Sequence, residues 1–274
     1  MRALVLLAVL VAGCTVEAAS PAATLAPVTP SAPASVEAEP FGGPEQIVAP
    51  ASAGRPTQPE MTARLASVLV AGHCVDRDLV ALASDDITLT VLDRSYALPA
   101  AYVPADLVPA AEAGLTGPSG TKLVRAVIVD DLRQMHDDWR AAGLSIVIES
   151  AFRSYASQAG TFDSWVSRVG IADALRRSAR PGHSEHQLGT TLDVTSPGWG
   201  GRFGNWATET AEGAWLAENA WRYGFVMSYP LGADAQTCFG YEPWHYRWIG
   251  RDEAAAHRTS GVALRQFLER FVNG

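Results

Sequence analysis

Lysine is almost absent: of 21 cationic residues only Lys122 is a lysine, and the arginines nowhere form a basic stripe. Against 29 acids the formal net charge is −8, so a nucleic-acid partner, which needs cations to neutralise phosphates, is not expected. Long apolar runs are lacking too. The run from Ala3 to Ala12 is too short to span a bilayer. Cysteine and histidine are scarce, at three and six, so any clustering of them carries information. What is present is ordinary: 48% hydrophobic and 18% charged residues over 274 describe a globular chain able to bury a sizeable core.

Two of the six histidines sit in one turn-rich stretch, "RPGHSEHQLGTTLDV", Arg180 to Val194. A metal site, a proton-transfer site and a plain polar loop all fit it. Zinc takes imidazole nitrogen and carboxylate oxygen, so His186 and Asp193 are candidate ligands, with Gly189 permitting a tight turn between them. Alone, such a pair is more often an ordinary hydrogen-bonded couple on a polar loop. A second stretch, "YEPWHYRWIG", puts Glu242 and His245 three apart among aromatic neighbours, where an unpaired charge is expensive. His245 would complete a His-Asp-His set and leave Glu242 beside the open position, placed to accept a proton from water. The plainer alternative is a structural salt bridge for Glu242 and aromatic packing for His245. In "ESAFRSYASQ", Arg153 follows a strand and could hold a substrate carbonyl oxygen, or pair with an acid on the surface. His183 is read as a solvent-facing loop residue.

The N-terminus, "MRALVLLAVLVAGC", has one positive charge and then the apolar run, the pattern of a secretory signal. Residues 1–13 fit a lipoprotein signal peptide, with Cys14 lipid-modified as first mature residue. A plain signal peptide cleaved after "VEAAS" is the alternative. Either places the chain outside the cytoplasm: a lipid on Cys14 would anchor it to the membrane in the cell envelope, whereas plain cleavage would leave it secreted. Cys74 and Cys238 then remain as an even pair in an oxidising compartment, and a disulfide between them is expected over free thiols.

Residues 14–59 are rich in Pro, Ala and Ser without a hydrophobic period, which predicts a disordered linker. Residues 60–274 form one folded domain, α+β, with a mainly antiparallel sheet flanked by helices. Helices are expected over 60–75, 121–143, 154–170, 171–179, 208–224 (capped by Thr208 or Thr210) and 260–272, the last with Ser260 as N-cap. Strands are expected over 87–93, 144–149, 190–196, 225–230 and 242–250, with 96–110 wrapping the surface.

The motifs resemble those of the VanY-like D-alanyl-D-alanine carboxypeptidases, zinc peptidases that trim bacterial peptidoglycan stems. The family's SxHxxGxAxD pattern is matched from Ser184 to Asp193, its EPWHY stretch from Glu242 to Tyr246, and its arginine loop by "SAFRSYASQ". Thr191 stands where alanine is usual, and Phe152 where tyrosine is commoner. The resemblance, from about Leu89 to the C-terminus, implies a Hedgehog/D-Ala-D-Ala peptidase-like fold with one zinc at the sheet face. It implies His186, Asp193 and His245 as ligands, Glu242 as general base then proton donor, and Arg153 as oxyanion stabiliser. Ser184 and Gln158 would contact the terminal D-residue. The expected activity is D,D-carboxypeptidase action on the stem peptide by a monomer. L,D-carboxypeptidase or endopeptidase action on the same stem, or a non-catalytic zinc-stabilised cell-wall binding module, are the alternatives.

Overall fold

The computed structural model describes residues 74–80, 87–117, 120–199 and 206–273. The signal peptide, Cys14, the linker and nearly all of the helix expected over 60–75 lie outside them. Among the described residues no helix is long and apolar enough to cross a membrane.

The strands are β1 (Leu79–Val80), β2 (Tyr96–Ala97), β3 (Leu107–Pro109), β4 (Leu123–Arg125), β5 (Val147–Ser150), β6 (Thr191–Thr195), β7 (Phe225–Met227) and β8 (His245–Trp248). The helices are α1 (Val129–Ala141), α2 (Tyr155–Val169), α3 (Ile171–Arg177), α4 (Trp206–Glu209), α5 (Ala211–Asn219), α6 (Asp234–Thr237), α7 (Arg251–Ser260) and α8 (Leu264–Asn273). The main sheet has the order β5-β6-β8-β7, antiparallel throughout, and β1-β2 and β3-β4 make two small pairs. The α+β expectation with antiparallel pairing is met.

Side chains alternate across a sheet, and here the alternation divides core from chemistry. Leu192 and Val194 of β6, Ile148 of β5, Phe225 of β7 and Tyr246 of β8 face one way. They pack against the buried stripe of α1, Val129, Leu132, Met135 and Trp139, spaced at helical period. Asp193 and His245, directly opposed across β6 and β8, fall on the other face. Burying those apolar side chains therefore fixes which way the polar pair points, because a slip of one residue would exchange the faces.

Several elements depart from the sequence-based expectation. The alternating run 87–93 is not a strand; Ile87–Leu89 forms a 3-10 turn, and Thr88 through Asp93 are buried on both sides. The carbonyls of Thr88 and Thr90 accept from the Arg247 guanidinium at 2.7 and 2.6 Å instead of a neighbouring strand. The helix expected over 121–143 begins only at Val129, because Leu123–Arg125 pairs with β3 first. Over 208–224 the chain breaks into α4, α5 and a 3-10 turn, and Thr210 caps α5 by accepting from Gly213 N at 3.0 Å. The strand expected from Glu242 starts at His245, since Pro243 has no N–H to give a ladder. Ser260 ends α7 rather than opening the final helix, which starts at Leu264 after Gly261 turns the chain at φ 69°. Cys74 and Cys238 are bonded, their Cα atoms 5.2 Å apart.

Candidate active site

His186 lies on the 3-10 turn Glu185–Leu188, which Ser184 caps by accepting from the His186 N–H at 3.4 Å and Gly189 closes in the left-handed conformation. Its Nδ1 is 2.7 Å from the Ala151 carbonyl, which can only accept, so Nδ1 carries the proton and Nε2 is left facing Asp193 Oδ2 at 3.1 Å. On β8, His245 Nδ1 approaches Asp193 Oδ1 at 3.1 Å, while Nε2 lies 2.9 Å from Glu185 Oε2. The three candidate ligand atoms of His186, Asp193 and His245 thus come within 4.8 Å of one another, on buried residues.

Glu242 sits in the loop before β8, held by its own N–H to the Tyr229 carbonyl at 3.0 Å, with Oε2 3.6 Å from His245 Nδ1. Arg153 reaches in from the end of β5. Its guanidinium donates to Ser150 Oγ at 2.8 Å and to Gln158 Oε1 at 2.7 Å, and passes 3.5 Å from Asp193 Oδ2. Gln158 is buried and donates onward to the Ala179 carbonyl at 2.6 Å. Its amide therefore orients Arg153. All seven side chains, Arg153, Gln158, Ser184, His186, Asp193, Glu242 and His245, line one cavity of about 200 Å³.

Two residues not singled out in the sequence complete the arrangement. Glu185, fully enclosed, accepts from Ser228 Oγ at 2.6 Å and pairs with Arg247 at 2.8 Å. Arg247 is buried in full, two residues after His245 and so on the same face of β8. The signal was available: a charged residue amid aromatic ones on a strand, the same argument that marks Glu242. His183, by contrast, is not solvent-facing. It is buried, its Nδ1 donates to the Asp93 carbonyl at 2.7 Å, and its Nε2 lies 3.2 Å from Asp78. The Pro181-Gly182 turn directs it inward: Gly182 adopts φ 87° and its carbonyl accepts from Leu98 N at 2.8 Å.

The electrostatics follow from burial and from this crowding of charges. Burial, reinforced by the Asp193 and Glu185 anions, raises the Glu242 carboxyl to about 8, against the pull of His245 and Arg153. Burial would raise Glu185, but Arg247 and His245 overcome it and bring the group down to about 2. Asp193 is likewise held well below the carboxylate range, its burial outweighed by His186 and His245. Burial lowers His186, so it is neutral. Burial also opposes the charge on His245, yet its hydrogen bonds to Asp193 and Glu185 raise it to about 10.

The family described as VanY, D-alanyl-D-alanine carboxypeptidase, matches residues 121–251. YodJ of Bacillus subtilis (strain 168), named as a carboxypeptidase, is 34% identical over 183 residues, covering 66% of this chain and 67% of its own. The chain spans about half the length of the Enterococcus D-alanyl-D-alanine carboxypeptidases it also matches. Among solved structures, the LdcB LD-carboxypeptidase shares 33% identity at a TM-score of 0.59, over 65% of this chain and 84% of its own. A vancomycin-resistance D,D-pentapeptidase VanY in complex with Zn(II) shares 28% at 0.56, over 66% and 98%.

Proposed function

Because the chain belongs to the VanY family of D-alanyl-D-alanine carboxypeptidases, we propose that it is a zinc-dependent D,D-carboxypeptidase. It removes the C-terminal D-alanine from peptidoglycan stem peptides outside the cytoplasm. One observation carries the reading. Asp193 and His245 face each other across β6 and β8, His186 points at the same carboxylate, and Glu242 lies just beyond.

The donor set suits zinc. Two imidazoles and one carboxylate are its usual ligands in a catalytic site. Each histidine also donates its remote ring nitrogen, to the Ala151 carbonyl and the Glu185 carboxylate, as ligating histidines do. Asp193 ionised and His186 neutral are the forms that bind a metal, and His245 gives up its Nδ1 proton on binding. When bound, zinc supplies a Lewis acid that polarises the scissile carbonyl and acidifies water.

The protein does the rest. Arg153, held by Ser150 and Gln158, presents its guanidinium to the carbonyl oxygen and to the negative charge that develops there. Glu242, on the wall of the same cavity and 3.6 Å from His245, accepts the proton of the attacking water as its carboxylate. The hydroxyl adds to the carbonyl carbon. Glu242 then passes the proton to the leaving nitrogen as the C–N bond breaks, releasing the free amino acid. Ser184 and Gln158, on the cavity wall, are the contacts for the terminal residue.

The test is product analysis on stem pentapeptides, tetrapeptides and tripeptides. Glu242→Gln is expected to lower turnover by roughly a hundredfold to ten-thousandfold, the range for loss of a general base, while still holding one zinc per chain. Equal turnover by the variant removes Glu242 from the mechanism. Release of the terminal residue from tetrapeptides but not pentapeptides favours the L,D reading, which the 33% identity to LdcB supports. Zinc binding without turnover favours the binding module. Lipid anchoring through Cys14 rests on the sequence pattern, and mass analysis of the mature N-terminus decides it.

A further inference from the structure

Beside the catalytic cavity lies a second hollow of about 400 Å³, lined by Trp165, Asp173, Arg176, Arg177, Gly240, Tyr241, Glu242 and Trp244. The two share Trp165, Arg177, Glu242 and Trp244, so they adjoin, with Glu242 on their common wall. The end holding Arg153, Gln158 and Ser184 is where a chain terminus would sit. Whatever precedes the scissile bond must then leave through the other end.

That exit is chemically distinctive for so acidic a protein. Arg176 and Arg177 occupy the last turn of α3, and both are exposed. A helix C-terminus favours cations through its dipole, which accounts for basic residues there but not for both lining the hollow next to Glu242. Their position is fixed by the site itself: the Arg176 carbonyl accepts from Gly240 N at 3.3 Å, two residues before Glu242. Two residues after Arg177, the Ala179 carbonyl takes the bond from Gln158. The Arg177 guanidinium lies 5.9 Å from the centre of the Trp165 ring, which pre-orients it at a wall offering an apolar face. Asp173, one turn earlier on α3, and Glu242 are the acidic residues of the lining.

Building on the carboxypeptidase reading, we propose that this exit is a substrate subsite in which Arg176 and Arg177 bind a carboxylate carried by the peptide on the N-terminal side of the cleaved bond, with Trp165 and Trp244 packing on the adjoining backbone. The substrate class is thereby an acidic peptide rather than any peptide with the right terminus. Arginine matches a carboxylate with two parallel N–H donors, and the flanking tryptophans exclude some of the water that would weaken the pair.

The experiment uses the zinc-loaded full chain and peptides that differ only in carrying a free side-chain carboxylate or its carboxamide upstream of the scissile bond. The parent protein is expected to favour the carboxylate by about tenfold in kcat/KM, equivalent to ~1.4 kcal/mol, mainly through KM. In the double variant Arg176→Gln, Arg177→Gln that ratio is expected to collapse to about one, and in Asp173→Asn to persist. A ratio near one in the parent, or an unchanged ratio in the double variant, overturns the proposal. Should the parent cleave neither peptide, the carboxypeptidase reading fails on its own, and calorimetric binding of the same peptide pair still decides the subsite by the same ratio.

Discussion

Glu185 touches His245 on one side and Arg247 on the other, and both contacts are buried from water. The first fixes which ring nitrogen of His245 faces Asp193; the second makes the arrangement affordable by matching one enclosed charge with another. Glu185→Ala removes the acceptor and strands the Arg247 guanidinium with only the Thr88 and Thr90 carbonyls. Zinc affinity is expected to fall about 10–100-fold, and stability by ~3–5 kcal/mol for the uncompensated buried charge. Glu185→Gln keeps an acceptor for His245 and is expected to lose less affinity than the alanine variant. Competition with a chromophoric chelator and urea titration measure the two effects separately. A folded Glu185→Ala protein with the parent's zinc affinity removes the positioning role. This residue also marks a limit of sequence reading. The candidate ligands were legible because histidine and acid recur at two spots in a histidine-poor chain. Glu185 was not, because its role appears only once β8, with Arg247 on it, is laid over the Glu185–Leu188 turn.

Elements carry the geometry from that turn to the sheet. Gly189 ends the turn at φ 75°, and a Cβ there would come 2.9 Å from Arg125 Cγ and 3.1 Å from Leu107 Cδ2. Its carbonyl accepts from Arg125 N at 2.9 Å, binding the turn to β4. Gly189→Ala is therefore expected to combine a left-handed backbone penalty of ~1–2 kcal/mol with a steric displacement of β3 and β4. Gly143→Ala, at φ 76° with nothing within 4 Å, carries only the backbone penalty. The larger loss of stability, together with weaker zinc binding, is expected for the Gly189 variant in urea titration and chelator competition. Equal losses would mean that the contact with β3 and β4 does not matter. At this scale the sequence was informative where periodicity met a terminator, as in α1 up to Gly143 and the strand holding Asp193. It misled where an apolar alternation served burial on both sides. The run 87–93 looks like a strand because its side chains alternate, yet its backbone is claimed by Arg247. Likewise Leu123–Arg125 shares a helical hydrophobic period with α1 but finds a strand partner in β3.

Among the described residues a covalent link joins distant parts of the chain. Cys74 and Cys238 lie 164 residues apart in sequence, so the disulfide joins the start of the described chain to the loop leading into Glu242. In the chain-entropy account a bridge of this span constrains the unfolded state by roughly 5 kcal/mol. The native site needs it less. The Glu242 loop is also tied by Glu242 N to Tyr229 at 3.0 Å and Gly240 N to Arg176 at 3.3 Å. The segment after Cys74 is tied by Asp76 to Arg94 and by Asp78 to Arg180. Cys238 itself holds a left-handed φ of 68°, which a serine must also adopt, so the backbone penalty is common to parent and variant and drops out of the comparison. The double variant Cys74→Ser, Cys238→Ser should thus unfold at clearly lower temperature and denaturant, yet keep the parent's zinc affinity and turnover to within a few-fold when assayed well below its transition. Reductant should shift the parent's transition the same way and leave the variant's alone. An unchanged transition on reduction would mean that the unfolded chain gains little freedom from losing the bridge. A collapse of turnover in the folded variant would mean that the bridge, rather than the backbone hydrogen bonds around it, holds Glu242 in place.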